Sequence, residues 1–114
     1  MISCSTGGRV IYMTIRDPHS AEEAISFLSA LSRNPSVPDS GLLLIDTRSA
    51  GSAFPEVEVG LLGPKLGPCC ALVVGGHQHD DARDFGSRVR RGGGPAIEIF
   101  SDLAEAYDWI GKYR

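Results

Sequence analysis

No stretch of this 114-residue chain approaches the ~20 consecutive apolar residues that a membrane-spanning helix needs. The start, Met1-Ile2-Ser3-Cys4, lacks the basic region and long apolar core of an export signal. A cytoplasmic protein without an integral membrane segment is therefore expected. Cysteine is sparse and odd in number: Cys4, Cys69 and Cys70 have neither zinc spacing nor the Cys-x-x-Cys redox spacing, which suits a reducing compartment. Positive charge is also short. A net charge of −3 and a pI near 5.5 give no attraction to a phosphate backbone, so nucleic acid is not an expected partner.

Catalytic signatures are missing too. The chain has no Gly-x-Ser-x-Gly elbow and no zinc-protease helix, and the scattered acids require no catalytic explanation. It also lacks the phosphate-loop lysine and the full dinucleotide glycine fingerprint. A non-enzymatic protein without a cofactor is the expectation.

What is present is an ordinary globular composition, 42% apolar and 22% charged. The length suits one domain over residues 1–114, burying roughly 65% of the surface its unfolded chain exposes. Ile2 to Ser5 and Val10 to Ile15 flank Thr6-Gly7-Gly8-Arg9 and read as a β-hairpin. Asp17-Pro18 and then Ser20-Ala21-Glu22-Glu23, a capping box, open a helix whose buried stripe is Ala24, Phe27, Leu28 and Leu31, with Ile25 at its margin. Asn34-Pro35 ends it. A turn-rich connector, 38–41, leads to the strand Leu42 to Ile45, whose unbroken apolarity suits cover on both faces.

From Phe54 to Leu66, Val57, Leu61 and Lys65 have helical spacing while Gly60, Gly63 and Pro64 weaken a helix, so a short or distorted one is expected. Cys70 to Val74 is a second buried strand, in whose start Cys69 and Cys70 act as small hydrophobes. Asp80 to Arg91 reads as a helix with aspartates early and Arg88, Arg90 and Arg91 late, the order its dipole favours, stopped by three glycines. Ala96 to Phe100 is the last strand. Ser101 or Asp102 caps a closing helix with Leu103, Ala106, Tyr107 and Ile110 inward and Trp109 and Tyr113 flanking. Alternation of this kind predicts an α/β fold with a mixed, mostly parallel five-stranded sheet, an N-terminal hairpin edge strand and about four helices.

The informative seam is where Leu42-Leu43-Leu44-Ile45 meets Asp46-Thr47-Arg48, because ligands of open α/β sheets gather beyond the carboxyl ends of the strands. Arg48 offers a fork for a carboxylate or phosphate, with Thr47 and Ser49 as hydroxyl partners or phosphoacceptors. The same residues also read as a plain turn in which Asp46 caps the chain and pairs with Arg48. Gly75, Gly76 and His77, after the second buried strand, permit close backbone approach and join the candidate contact set. His77, His79, Asp80 and Asp81 carry metal-ligand atoms, but no recognised ligand spacing, so no metal is assigned.

Four segments carry a family resemblance: Leu43-Leu44-Ile45-Asp46-Thr47-Arg48; Cys70-Ala71-Leu72-Val73-Val74; Asp84-Phe85 with the glycines at 92–94; and Ile99-Phe100-Ser101-Asp102 with Glu105-Ala106 and Trp109-Ile110. With the element order, they resemble the small bacterial SpoIIAA-like family, of the STAS fold shared with anti-sigma-factor antagonists. The resemblance implies a regulatory role and a phosphorylatable hydroxyl after the strand Leu42 to Ile45. Thr47 stands in that place and Ser49 is a second candidate, although the Asp-Ser-Ser-Gly-like turn is not reproduced and Arg48 intrudes.

The expected function is a regulatory or binding module that contacts a protein partner or small ligand through the turn 46–52. A phosphorylation-controlled switch at Thr47 or Ser49 is one alternative. Another is a carrier of a lipid or other apolar ligand, or a small enzyme, with a pocket between the sheet and the 54–66 helix. A homodimer is expected only from the commonness of two-fold pairs.

Overall fold

The computed structural model describes residues 1–51 and 57–112. Two short strands, β1 (Ile2–Gly7) and β2 (Val10–Ile15), pair antiparallel across a two-residue turn in which Gly8 has φ 60°. β3 (Gly41–Asp46), β4 (Leu66–Val73) and β5 (Ala96–Phe100) then add in parallel, giving one sheet in the order β1-β2-β3-β4-β5. The mixed, mostly parallel α/β sheet with a hairpin edge strand is the architecture that the alternating pattern predicts.

Helix α1 (Ala21–Arg33) starts at Ser20, whose hydroxyl accepts from the Glu23 amide at 3.1 Å. Only this half of the capping box carries a described bond; the Glu23 carboxylate lies 3.3 Å from the Met1 ammonium. Ala24, Leu28 and Leu31 are buried and Phe27 packs at their edge, as their spacing predicts.

The second helical segment departs from its predicted pattern. Residues 54–56 of the expected helix lie outside the described residues, and beyond them the chain forms a 3₁₀ segment, Val59–Lys65, broken at Gly63 with φ 56° and ψ −127°. Val57 is buried just before the segment, and within it Val59 and Leu62 turn inward at the three-residue period of a tighter helix instead of the 57, 61, 65 spacing. Lys65 turns away to donate to the Val37 carbonyl at 2.6 Å.

α2 (His79–Arg91) follows a 3₁₀ turn, Gly76–Gln78, and α3 (Leu103–Gly111) closes the chain with Asp102 as its cap, accepting from the Ala104 amide at 2.9 Å. Strand alternation splits the core between the faces. Ile11, Met13, Leu43, Ile45, Cys70 and Leu72 point to the side covered by α1, the 3₁₀ segment and α2. Val10, Leu42, Leu44, Cys69, Ala71 and Val73 point to the side covered by α3 through Ala106 and Ile110. Tyr107, expected inward, is 45% exposed and rests its ring 5.6 Å from Tyr12, while Trp109 lies against Phe100. A nine-residue helix over so broad a sheet leaves its flanking aromatics at the rim.

At the far end of the sheet, β3 and β4 approach closely at Gly41 and Gly67, where the register slips. A Cβ on Gly67 would fall 2.9 Å from the Ser40 carbonyl oxygen and closer still to that of Gly41, so only glycine fits. Among the described residues no helix is long and apolar enough to cross a membrane.

Candidate functional site

The parallel strands β2 to β5 all end on one edge, and the segments leaving them build a polar lip. Arg16 and Asp17 follow β2, Asp46 to Gly51 follow β3, Gly75 to His79 follow β4, and Ser101 and Asp102 follow β5. The predicted contact residues Asp46, Thr47, Arg48, Ser49, Gly75, Gly76 and His77 thus lie on adjacent loops of this edge.

Thr47 does not face outward. It continues the alternation of Leu43 and Ile45 and is fully buried. Its amide donates to the Val73 carbonyl at 2.9 Å, and its hydroxyl lies 3.0 Å from that same oxygen and 3.2 Å from Gln78 Oε1. As a surface contact or a directly accessible phosphoacceptor, Thr47 is therefore corrected: its hydroxyl is an interior fastener. Ser49 is exposed.

Gln78, which no sequence motif marks, completes the fastening. It is fully buried, donates through Nε2 to the Thr47 carbonyl at 3.0 Å, and accepts from the Gly75 amide at 2.9 Å through Oε1. One side chain therefore satisfies polar groups of both loops, the arrangement a buried amide requires. The only local signal is a hydrogen-bonding side chain two positions after a Gly-Gly pair; its partner lies 31 positions away.

On top of this latch sits an ion pair. Arg48 Nε and Nη2 reach Asp46 Oδ1 and Oδ2 at 3.0 and 2.9 Å, and the Arg48 amide adds 3.1 Å to Oδ1. Partial burial pushes the Asp46 carboxyl upward, but the Arg48 hydrogen bonds and the charges of Arg48 and Arg16 outweigh it and hold it below its ordinary value. The Asp46 hydrogen bond raises the Arg48 guanidinium against a smaller loss from burial, with the charges of Asp46 and Asp102 assisting. Both signs therefore meet along the strand ends, with Arg16 and Asp17 after β2, Asp46 and Arg48 after β3 and Asp102 after β5.

His77 donates through Nε2 to the Gly51 carbonyl, tying the exposed part of the β4 loop to the β3 loop. His79 and the Ser101 hydroxyl share a 3.0 Å hydrogen bond that links the starts of α2 and the 101–102 turn. Gly75 is half-buried and Gly76 exposed. Among the described residues no three His, Cys, Asp or Glu side chains converge as a metal site.

The space beside the second helical segment differs from the expected pocket. Val57, Val59 and Leu62 fill the core beneath that segment, and an open cleft of about 370 Å³ lies at its flank. Val57, Val59, Phe85, Val89 and Pro95 supply its apolar lining, and Glu58 and Arg88 its charges. The thiols are poor nucleophiles: burial pushes Cys70 far upward, with the Cys69 charge adding, and burial also raises Cys69 and Cys4. Comparison with models of known families, with curated proteins and with solved structures found no match.

Proposed function

We propose that this chain is a non-enzymatic regulatory or binding module, kin to SpoIIAA-like STAS domains, that docks a protein partner through the lip headed by Arg48 and Ser49. Support comes chiefly from the charge pattern. Arg16 and Asp17 after β2, Asp46 and Arg48 after β3 and Asp102 after β5 bring both signs to the lip, so neither charge dominates it. A mixed row of this kind suits a polar protein surface, where opposed pairs fix register and exclude wrong partners, better than a polyanion. The buried Thr47–Gln78 fastening pre-organises the loops, which reduces the ordering cost of association.

Of the two hydroxyls considered for modification, Ser49 is open to a kinase and Thr47 is reached only after the latch opens. A phosphate on Ser49 would add negative charge beside the Arg48–Asp46 pair and re-bias the same lip.

The experiment is affinity isolation from the native host with quantitative mass spectrometry of wild type, Ser49→Arg and Arg33→Glu, the last at the opposite end of the sheet. Ser49→Arg should lose a co-purifying protein that wild type and Arg33→Glu retain, with thermal stability unchanged. Equal recovery in all three contradicts the reading. A second reading, a carrier of a small apolar ligand, is supported by the open cleft lined by Val57, Phe85 and Val89. It predicts an extra mass in the native mass spectrum of fresh protein that Val89→Trp removes.

A further inference from the structure

The backbone at the other end of the sheet order, edge strand β1, points to a second interaction surface, independent of the lip. Met1 and Arg16 exchange both main-chain bonds, Arg16 N to Met1 O at 2.8 Å and Met1 N to Arg16 O at 2.7 Å. The register from Ile2↔Ile15 to Gly7↔Val10 then runs without a slip. Hydrogen-bonded and non-bonded pairs alternate in an antiparallel ladder. Ser3, Ser5 and Gly7 therefore bond inward to β2, while Ile2, Cys4 and Thr6 direct their N–H and C=O groups away from the sheet. Among the described residues no strand lies on that side and no main-chain hydrogen bond goes to these three residues from it.

Edges are usually protected by charge, proline or a bulge. β1, Ile-Ser-Cys-Ser-Thr-Gly, has none of the three, whereas the opposite edge strand β5 carries Glu98 at its centre.

We propose that β1 pairs antiparallel with β1 of a second copy of this chain, about a two-fold axis perpendicular to the sheet and passing midway between the two Cys4 residues. The outward residues are spaced evenly about Cys4, so this axis opposes Ile2 to Thr6 of the second copy, Cys4 to Cys4, and Thr6 to Ile2. Each pair exchanges both of its main-chain bonds. An axis between the two copies of Ser3, or of Ser5, leaves one of the three outward residues without a counterpart. On the α3 side of the sheet Ser3 then faces Ser5 of the second copy, and these exposed hydroxymethyl side chains present no charge or bulk to oppose the approach. Because the copies run antiparallel, their two lips face opposite directions, and both stay free for partners. One short strand per copy buries less than the ~1,600 Å² of a standard interface, so the association is weak and concentration-dependent.

Sedimentation equilibrium from micromolar to millimolar protein tests this on three forms. Wild type should show a monomer–dimer equilibrium. Ser3→Lys with Ser5→Lys opposes like charges across the pair and should weaken it at least tenfold, while Ser3→Lys with Ser5→Glu opposes unlike charges and should restore it. Circular dichroism confirms that each variant is folded, and Thr6→Pro, which removes an outward N–H but no bond to β2, provides a second disruption. A wild type that stays monomeric at millimolar concentration overturns the proposal, including the case in which another protein's strand takes the edge. A dimer indifferent to the charge exchange overturns it equally.

Discussion

Thr47 and Gln78 are bonded to each other in both directions, hydroxyl to Oε1 at 3.2 Å and Nε2 to main-chain carbonyl at 3.0 Å, and both are fully buried. The loops after β3 and β4 are held together by this pair, and the two halves of it are not equivalent. In Thr47→Val the Val73 carbonyl keeps the Thr47 amide and Gln78 Oε1 keeps the Gly75 amide, so the loss is about 1 kcal/mol. Gln78→Leu leaves the Thr47 carbonyl its bond from the Ala50 amide but strands the Gly75 amide, and should cost about 2–3 kcal/mol. Urea unfolding of the two variants measures the difference.

Asp46 sets a pH dependence. Its folded carboxyl lies below the ordinary 3.8, so the stability it contributes is fully present above that value and is lost as pH falls through the folded one. Asp46→Asn should therefore be less stable than wild type at neutral pH, with the gap closing only below about pH 4. In Arg48→Ala the upward push of burial meets only the main-chain amide of residue 48 and the attraction of Arg16, and the carboxyl should titrate at higher pH than in wild type. Carboxyl-carbon NMR titration reads the shift.

The close approach of β3 and β4 predicts a contrast between two glycines. Gly67→Ala drives a Cβ against the carbonyls of Gly41 and Ser40, rigid main-chain atoms, and should destabilise by about 3 kcal/mol. Gly60→Ala meets nothing within 4 Å and should change stability by less than about 1 kcal/mol. Thermal unfolding of both variants provides the comparison.

Thiol reactivity should follow burial. Cys4 is partly exposed while Cys69 and Cys70 are buried, so an aromatic disulfide reagent should modify Cys4 first in the native protein. The other two should react at the rate of unfolding. Peptide mapping after timed labelling distinguishes the three.

Much of the fold was legible because its signals are local and periodic: the apolar run Leu42 to Ile45, the Ala24, Leu28, Leu31 stripe, and the aspartates and arginines at opposite ends of α2. The inward turn of Thr47 was also legible, since it shares the two-residue period of Leu43 and Ile45, but a hydroxyl beside Asp46 and Arg48 reads as surface. Gln78 was not legible, because its burial depends on loops brought together only by parallel strand pairing. The distortion of the 3₁₀ segment was legible in Gly63 and Pro64, but its inward face was not, because the 57, 61, 65 spacing assumes an α-helical period.

Docking through the strand-end lip is decided by chemical-shift mapping of the labelled protein against its co-purified partner. Perturbations are expected at Arg16, 46–51, 75–79 and 101–102, with the cleft residues Phe85, Val89 and Pro95 unmoved. Perturbations confined to that cleft, with Arg48, Ser49 and His77 unchanged, would contradict the assignment of the lip as the docking surface.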